Sequence, residues 1–209
     1  MMITTLGVFA SAVCLVAAFA LASPEIPSTA PDTAPQFPEV VRYAPNGEML
    51  PPANYREWVY LSSGVDMSYT AKPAGMAMFD NVFVNPEAYR GFLRTGHWPD
   101  KTVMVLELRE ARNKGSINQC GHFQGTNVMG MEVHVKDASR FPGEWAFFDF
   151  TSATTNGTLF PQSASCYSCH AAHGAVDTTF VQFYPTLLPI ARAKGTLSPK
   201  YVKESGATQ

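Results

Sequence analysis

The chain has 209 residues, enough for one domain with a real core, and carries 15 lysine and arginine residues against 17 aspartate and glutamate. That balance excludes the basic footprint of a nucleic-acid binder and gives no basis for attraction to an anionic membrane. Aromatic residues make up 12% of the chain, a content suited to walling off a large flat group.

Residues 1–22 contain no charged side chain, and 6–21 form an almost unbroken apolar run ending in Ala20-Leu21-Ala22. This is the h-region and small-residue cleavage site of a secretory signal peptide, although the usual basic n-region is missing. The run falls short of the roughly 20 apolar residues a spanning helix needs. Cys14 lies within it, behind a Val13 too large for the usual lipoprotein cleavage pattern. Export to the periplasm is therefore expected, with no membrane attachment after the signal is removed. Residues 23–42 are rich in proline, serine, threonine and alanine without an apolar period, and read as a disordered linker. The expected domain runs over 43–195, with 196–209 as a tail.

Residues 54–61 read as a short helix or a strand, without a deciding period. Residues 78–84 are strand-like. Asn85-Pro86-Glu87 then supplies an N-cap, a first-turn proline and a first-turn acid, opening a helix that Gly96 closes. Residues 102–110 alternate as a strand, and 113–118 form a turn-rich hairpin connection. Two further strands are expected over 130–136 and 145–150. In the first, Met131, Val133 and Val135 share one face while Glu132 and His134 share the other. Strands in series with short connections predict an α+β, mainly β fold: an antiparallel sheet with a few helices. The segment around residue 166 is helical by contrast, with Ser163 or Ser165 as its cap, and Asp177 caps a further helix that Pro185 kinks or ends.

The most specific signal is Cys166-Tyr167-Ser168-Cys169-His170. Two cysteines three apart sit on adjacent helical turns, where each thiol can add across one vinyl group of a porphyrin. The histidine after the second cysteine then lies under the iron as proximal ligand. This is the attachment motif of a c-type haem. His173 lies three residues further on, but only the residue adjoining Cys169 is held against the iron. A zinc reading needs a second ligand pair, for which Cys120 and His122 are the available residues. A thioredoxin-like motif belongs at the start of a helix after a buried strand. With Cys166 and Cys169 consumed by haem, Cys120 has no disulfide partner in the exported chain.

The motif lies close to the C-terminus, and no methionine follows it. Small electron-transfer cytochromes place theirs near the start and supply a downstream methionine. A four-helix cytochrome c′ would be helical throughout. Together with the motif, residues 54–59 (Asn-Tyr-Arg-Glu-Trp-Val), 82–87 (Val-Phe-Val-Asn-Pro-Glu), 95–96, 102–105, 136–142 (Lys-Asp-Ala-Ser-Arg-Phe-Pro), 145–148 and Tyr184-Pro185 resemble the cytochrome P-460 family. The resemblance spans roughly residues 54–188 in order and with similar spacing. It implies a largely antiparallel β fold, one covalent haem per subunit and a homodimer. Members include hydroxylamine-oxidising cytochromes P-460 and the cytochromes c′-beta, which bind nitric oxide or other gases at an open distal face.

The departures from the family pattern carry information too. The lysine that cross-links to the porphyrin in cytochromes P-460 proper aligns with Leu106, which cannot form that bond; Lys101 and Lys72 are the alternatives in another register. The family's distal arginine falls near Asp80, and its distal carboxylate aligns with Glu132. The resemblance thus points to the cytochrome c′-beta branch. From the chain itself, Phe79, Phe83, Leu106, Leu108, Phe123 and Met131 are candidates for an apolar distal cap or for ordinary core. Glu132 is a candidate distal base or a solvent-facing strand residue.

Two classes of function remain. One is a haem with an open distal site that binds or redox-processes small nitrogen species such as nitric oxide or hydroxylamine, served by a periplasmic redox partner. The other is a six-coordinate electron-transfer cytochrome c with His97, His122, His134 or an upstream methionine (Met76, Met78, Met104, Met129 or Met131) as sixth ligand.

Overall fold

The computed structural model describes residues 40–72 and 75–206. The expected signal peptide and most of the expected linker lie outside the described residues. Among those described, no helix is long and apolar enough to cross a membrane.

Six strands form one sheet in simple sequence order: β1 (Val59–Val65), β2 (Met78–Val84), β3 (Val103–Arg112), β4 (Phe123–Lys136), β5 (Trp145–Phe150) and β6 (Thr158–Leu159). Every neighbouring pair is antiparallel. Among the described residues, four α-helices accompany the sheet: α1 (Pro86–Thr95), α2 (Ser165–His173), α3 (Leu188–Lys194) and α4 (Pro199–Ser205). The architecture is α+β and mainly β, as the period-two segments and short connections predict.

The ambiguous stretch 54–61 resolves into both alternatives in turn, a single 3-10 turn over Tyr55–Glu57 followed by β1. Helix α1 starts at Pro86 and ends at Gly96, whose φ of 78° is left-handed and whose N–H reaches the carbonyl of Phe92. Asn85 makes no side-chain cap. Its Oδ1 accepts the N–H of Val103 at 2.8 Å, tying the helix start to β3 instead.

Both faces of the sheet are buried, so β3 begins as a continuous apolar run rather than a clean alternation. On one face Val103, Val105, Met131, Val133, Val135, Phe148 and Phe150 pack with Val41, Met49 and Tyr55. On the other, Leu61, Val84 and Met104 meet Phe92 and Trp98 of the α1 region and Val181, Tyr184, Leu187 and Leu197 of the C-terminal segment. Each fully buried large side chain contributes about 1.5–3 kcal/mol.

Several expectations need correction. Val41 is already core, so order begins before residue 43. Strand β4 starts at Phe123, seven residues before the expected 130, because it pairs with β3 along the whole hairpin. Neither Ser163 nor Ser165 caps α2; the N-cap position is Ala164, with no side-chain bond. Asp177 caps no helix. It sits at φ 46° in a turn, and its carboxylate accepts the N–H of Trp98. Residues 196–206 are not a tail: Leu197 is core, and α4 docks on α2 through Lys200 to the Ala171 carbonyl and Glu204 to His173.

Candidate functional site

Cys166, Cys169 and His170 stand at i, i+3 and i+4 of α2, which places all three on one face of the helix. That face borders a cavity of about 570 Å3 lying between α2 and the sheet. Helix α2 is fixed in place at several points. The Tyr167 hydroxyl accepts the N–H of Phe147 and donates to the Phe160 carbonyl, and the Tyr167 ring meets the Phe147 ring edge-on at 4.9 Å. At the helix end, Gln182 donates to the His173 carbonyl and accepts from the Ala175 N–H.

The His170 ring is held on three sides by Phe180 at 4.1 Å, Phe147 at 4.7 Å and His134 at 4.9 Å between centroids. Its Nδ1 donates to the Thr178 carbonyl at 2.7 Å. A proton fixed on Nδ1 leaves the lone pair on Nε2, the tautomer a metal ligand needs. Burial pushes the His170 pKa down, so the ring is kept neutral. The Thr178 carbonyl can turn toward the helix because Asp177 and Thr178 adopt left-handed backbone in succession (φ 46° and 60°). Gly174 permits the close return: a Cβ there would stand 2.7 Å from the His170 carbonyl and 2.8 Å from the Thr178 backbone.

The opposite wall is the sheet. Alternation sends Asp80 and Val82 of β2, Met104, Leu106 and Leu108 of β3, Glu132 and His134 of β4, and Phe147 of β5 toward the cavity. Leu106 is the cross-strand partner of both Val82 and Glu132, so Glu132 and Leu106 enter side by side. Burial, then the charges of Asp149 and Asp80, raise the Glu132 pKa. His134 is buried, its pKa lowered well below the usual histidine range by burial and by His170, and its Nε2 has no hydrogen-bond partner.

The structure thus brings together Cys166, Cys169, His170, Leu106, Leu108 and Glu132 around one cavity. It does not bring Phe79, Phe83 or Met131 there. These three have the opposite parity from Asp80, Leu106 and Glu132, which sends them to the other side of the sheet. Met131 is core on that face, and Phe83 packs against the same cluster. Phe123, on the distal hairpin, is also off the cavity, as are Lys101, whose Nζ pairs with Asp137 at 2.5 Å, and Lys72. Of the proposed sixth ligands, Met104 and His134 line the cavity; His97, His122, Met76, Met78 and Met129 do not. Sequence reasoning missed Met67, Tyr69, Phe147, Phe180 and Phe183 as lining residues.

The donor set suits haem better than zinc. Among the described residues, no group of three or more histidine, cysteine or acidic residues is placed to hold a metal ion, and Cys120 and His122 lie on the β3–β4 connection, off the cavity. Burial raises the Cys166 thiol pKa, which disfavours the thiolate zinc requires. A cavity of roughly 300–1,000 Å3 is the size that holds a cofactor. This one has two thiols and a tautomer-fixed imidazole on a single wall, facing a mostly apolar second wall.

No curated protein matches the chain. The family model described as cytochrome P-460 matches residues 52–181, a span that takes in the whole sheet, helix α2 and the turn carrying Thr178. By that match, the chain belongs to the cytochrome P-460 family and is a haem protein.

Proposed function

We propose that this protein is an exported, periplasmic c-type haem protein, carrying one haem joined by thioethers to Cys166 and Cys169, with His170 as proximal ligand. We place it in the cytochrome c′-beta branch, with an open distal site that binds or redox-processes small nitrogen species such as nitric oxide or hydroxylamine. The observation that carries this reading is the common face of Cys166, Cys169 and His170 on a cavity whose other wall presents Leu106.

The haem supplies an iron centre able to bind small ligands and change oxidation state. The protein's own groups do the rest. Thr178 holds the proton on His170 Nδ1, while Phe147, Phe180 and His134 fix the ring. Leu106, Leu108 and Val82 give the sheet wall an apolar surface with room for a small uncharged ligand. Glu132, raised in pKa by burial, is the group suited to take or return a proton there. Among the described residues, no lysine lines the cavity, which supports an ordinary haem c over a lysine-linked one. Export is supported by the apolar run and small-residue site of residues 1–22.

A second reading is a six-coordinate electron carrier, favoured by the presence of Met67 and Met104 among the lining residues; His134, packed against the His170 ring, is on the proximal side. The ferrous absorption spectrum, recorded with and without carbon monoxide or nitric oxide, separates the two. We expect a high-spin spectrum that shifts with gas. A low-spin spectrum indifferent to gas would support the electron carrier.

A further inference from the structure

Asp80 occupies the middle of β2, paired with Gly64 on one side and Leu108 on the other. An aspartate inside a central strand is unfavourable in itself, and a partly buried carboxylate without a partner is more so. Asp80 nevertheless has no hydrogen bond or ion pair to any described residue, and neither does Glu132, two strands away on the same cavity. The neighbouring strand offers it no partner either: Gly64 opposite has no side chain, and the place of its Cβ is taken by the Met67 side chain, with the Asp80 carboxylate at an ordinary contact distance of 3.6 Å.

Among the described residues, the rest of the lining contains no lysine or arginine to neutralise these two acids. Outside the lining, the exposed Asp66 and Asp149 act with the same sign on Asp80 and Glu132 respectively. Burial and those neighbours raise the pKa of both cavity carboxylates. Tyr69, also in the lining, is raised by burial and then by Asp80. The cavity therefore carries a one-signed field inside walls of low polarity, where a charge acts more strongly than in water.

Resting on the haem reading above, we propose that Asp80 is a specificity-determining residue. Together with Glu132 it turns anions away from the haem iron and admits uncharged or protonated nitrogen ligands, such as nitric oxide, hydroxylamine or hydroxylammonium. Anionic nitrogen species of similar size, such as azide and nitrite, are the ligands it rejects. The apolar residues around Leu106 leave room for either kind of ligand, so charge rather than size makes the selection.

The test uses the purified holoprotein, held at a pH well above the carboxylate range. Azide and imidazole are titrated into the ferric form and carbon monoxide into the ferrous form, each followed by the Soret band. Asp80→Asn keeps the shape and removes the charge; Asp80→Lys reverses it. We expect azide to bind about tenfold tighter in Asp80→Asn and tighter still in Asp80→Lys, with the gain reduced at high salt. Imidazole and carbon monoxide affinities should stay within about twofold. Should Asp80→Lys fail to fold, the isosteric Asp80→Asn decides alone. Equal azide affinity in wild type and Asp80→Asn, both with an intact Soret band, overturns this inference and leaves the haem reading standing. A wild-type protein without haem overturns the parent reading instead.

Discussion

The carboxylate of Asp177 accepts the backbone N–H of Trp98 at 2.9 Å, joining two points 79 residues apart in the chain. Its other oxygen lies 2.9 Å from His97 Nδ1. These contacts hold Asp177 at a φ of 46°, and Thr178 follows in the same unfavourable region. Trp98 is itself fixed, its ring tilted against Phe92 at 4.4 Å between centroids and its indole donating to Thr179. The core beside α1 therefore sets the turn that aims the Thr178 carbonyl at His170.

Asp177→Ala removes that anchor and lets the turn relax. We expect a stability loss of about 1.5–3 kcal/mol, the range for a hydrogen bond to a charged group, read from denaturant unfolding. The looser turn should also broaden the ferric haem spectrum as His170 samples more orientations. A destabilised variant with an unaltered spectrum would show that Thr178 does not depend on Asp177.

His170→Gly should retain haem, because the thioethers remain, while losing the proximal nitrogen. Added imidazole should then restore the wild-type Soret position by occupying the vacated space between Phe147 and Phe180. His173→Gly should change nothing in the spectrum, since its Nδ1 is occupied by Glu204 and its ring does not line the cavity. Loss of the proximal signal in His173→Gly would reverse the ligand assignment.

On the opposite face of the sheet Glu107 is fully buried, yet it meets Tyr55, Arg56 and Arg109. Burial alone would raise its pKa; the Tyr55 and Arg109 hydrogen bonds and the charges of Arg56 and Arg109 outweigh it and hold the carboxyl below its ordinary value. A pKa depressed by folding contributes stability that is present above the unfolded value, roughly 4.3, and is lost as pH falls through the folded value. Acid unfolding of the wild type should show that loss, and Glu107→Ala should abolish this part of the pH dependence. The variant should be destabilised at neutral pH by about 1.5–3 kcal/mol, because the buried Tyr55 hydroxyl and the part-buried Arg109 lose their charged partner. Unfolding curves at several pH values check both statements.

With Leu106 on the cavity wall and both Lys72 and Lys101 off it, the porphyrin should be bound through cysteine alone. Peptide mapping should recover it only on the peptide containing Cys166 and Cys169, and the reduced protein should show conventional haem c bands. A lysine-containing peptide bound to the porphyrin would remove the protein from the cytochrome c′-beta branch.

Much of this arrangement was legible in the chain. Asn85-Pro86 and Gly96 bound α1, period two marks β3, and apolar and aromatic composition marks β2 and β5. Parity divided β4 correctly into a Met131 face and a Glu132 face, but it did not say which face meets the cavity. Apolarity pointed to Met131, Phe79 and Phe83, whereas Met131 and Phe83 pack at the core on the far side and Phe79 shares their parity. That decision depends on which sheet face α2 covers, a long-range contact no local pattern encodes. Phe147 became a wall of the site only through its pairing with His134, and Met67 and Tyr69 lie in a stretch without periodicity. Asp177 looked like a cap because aspartate before an apolar segment serves that role; here its carboxylate is claimed by Trp98. The Glu107 cluster was invisible because its partners come from residues 55, 56 and 109.

The central claim is covalent attachment of one haem at Cys166 and Cys169, and intact mass after acid-acetone extraction measures it directly. The wild-type polypeptide should keep the mass of one haem through extraction, whereas the Cys166→Ala, Cys169→Ala double variant should release all of its haem into the acetone. Wild-type protein reduced to its bare polypeptide mass, or a double variant that still holds haem, would contradict it.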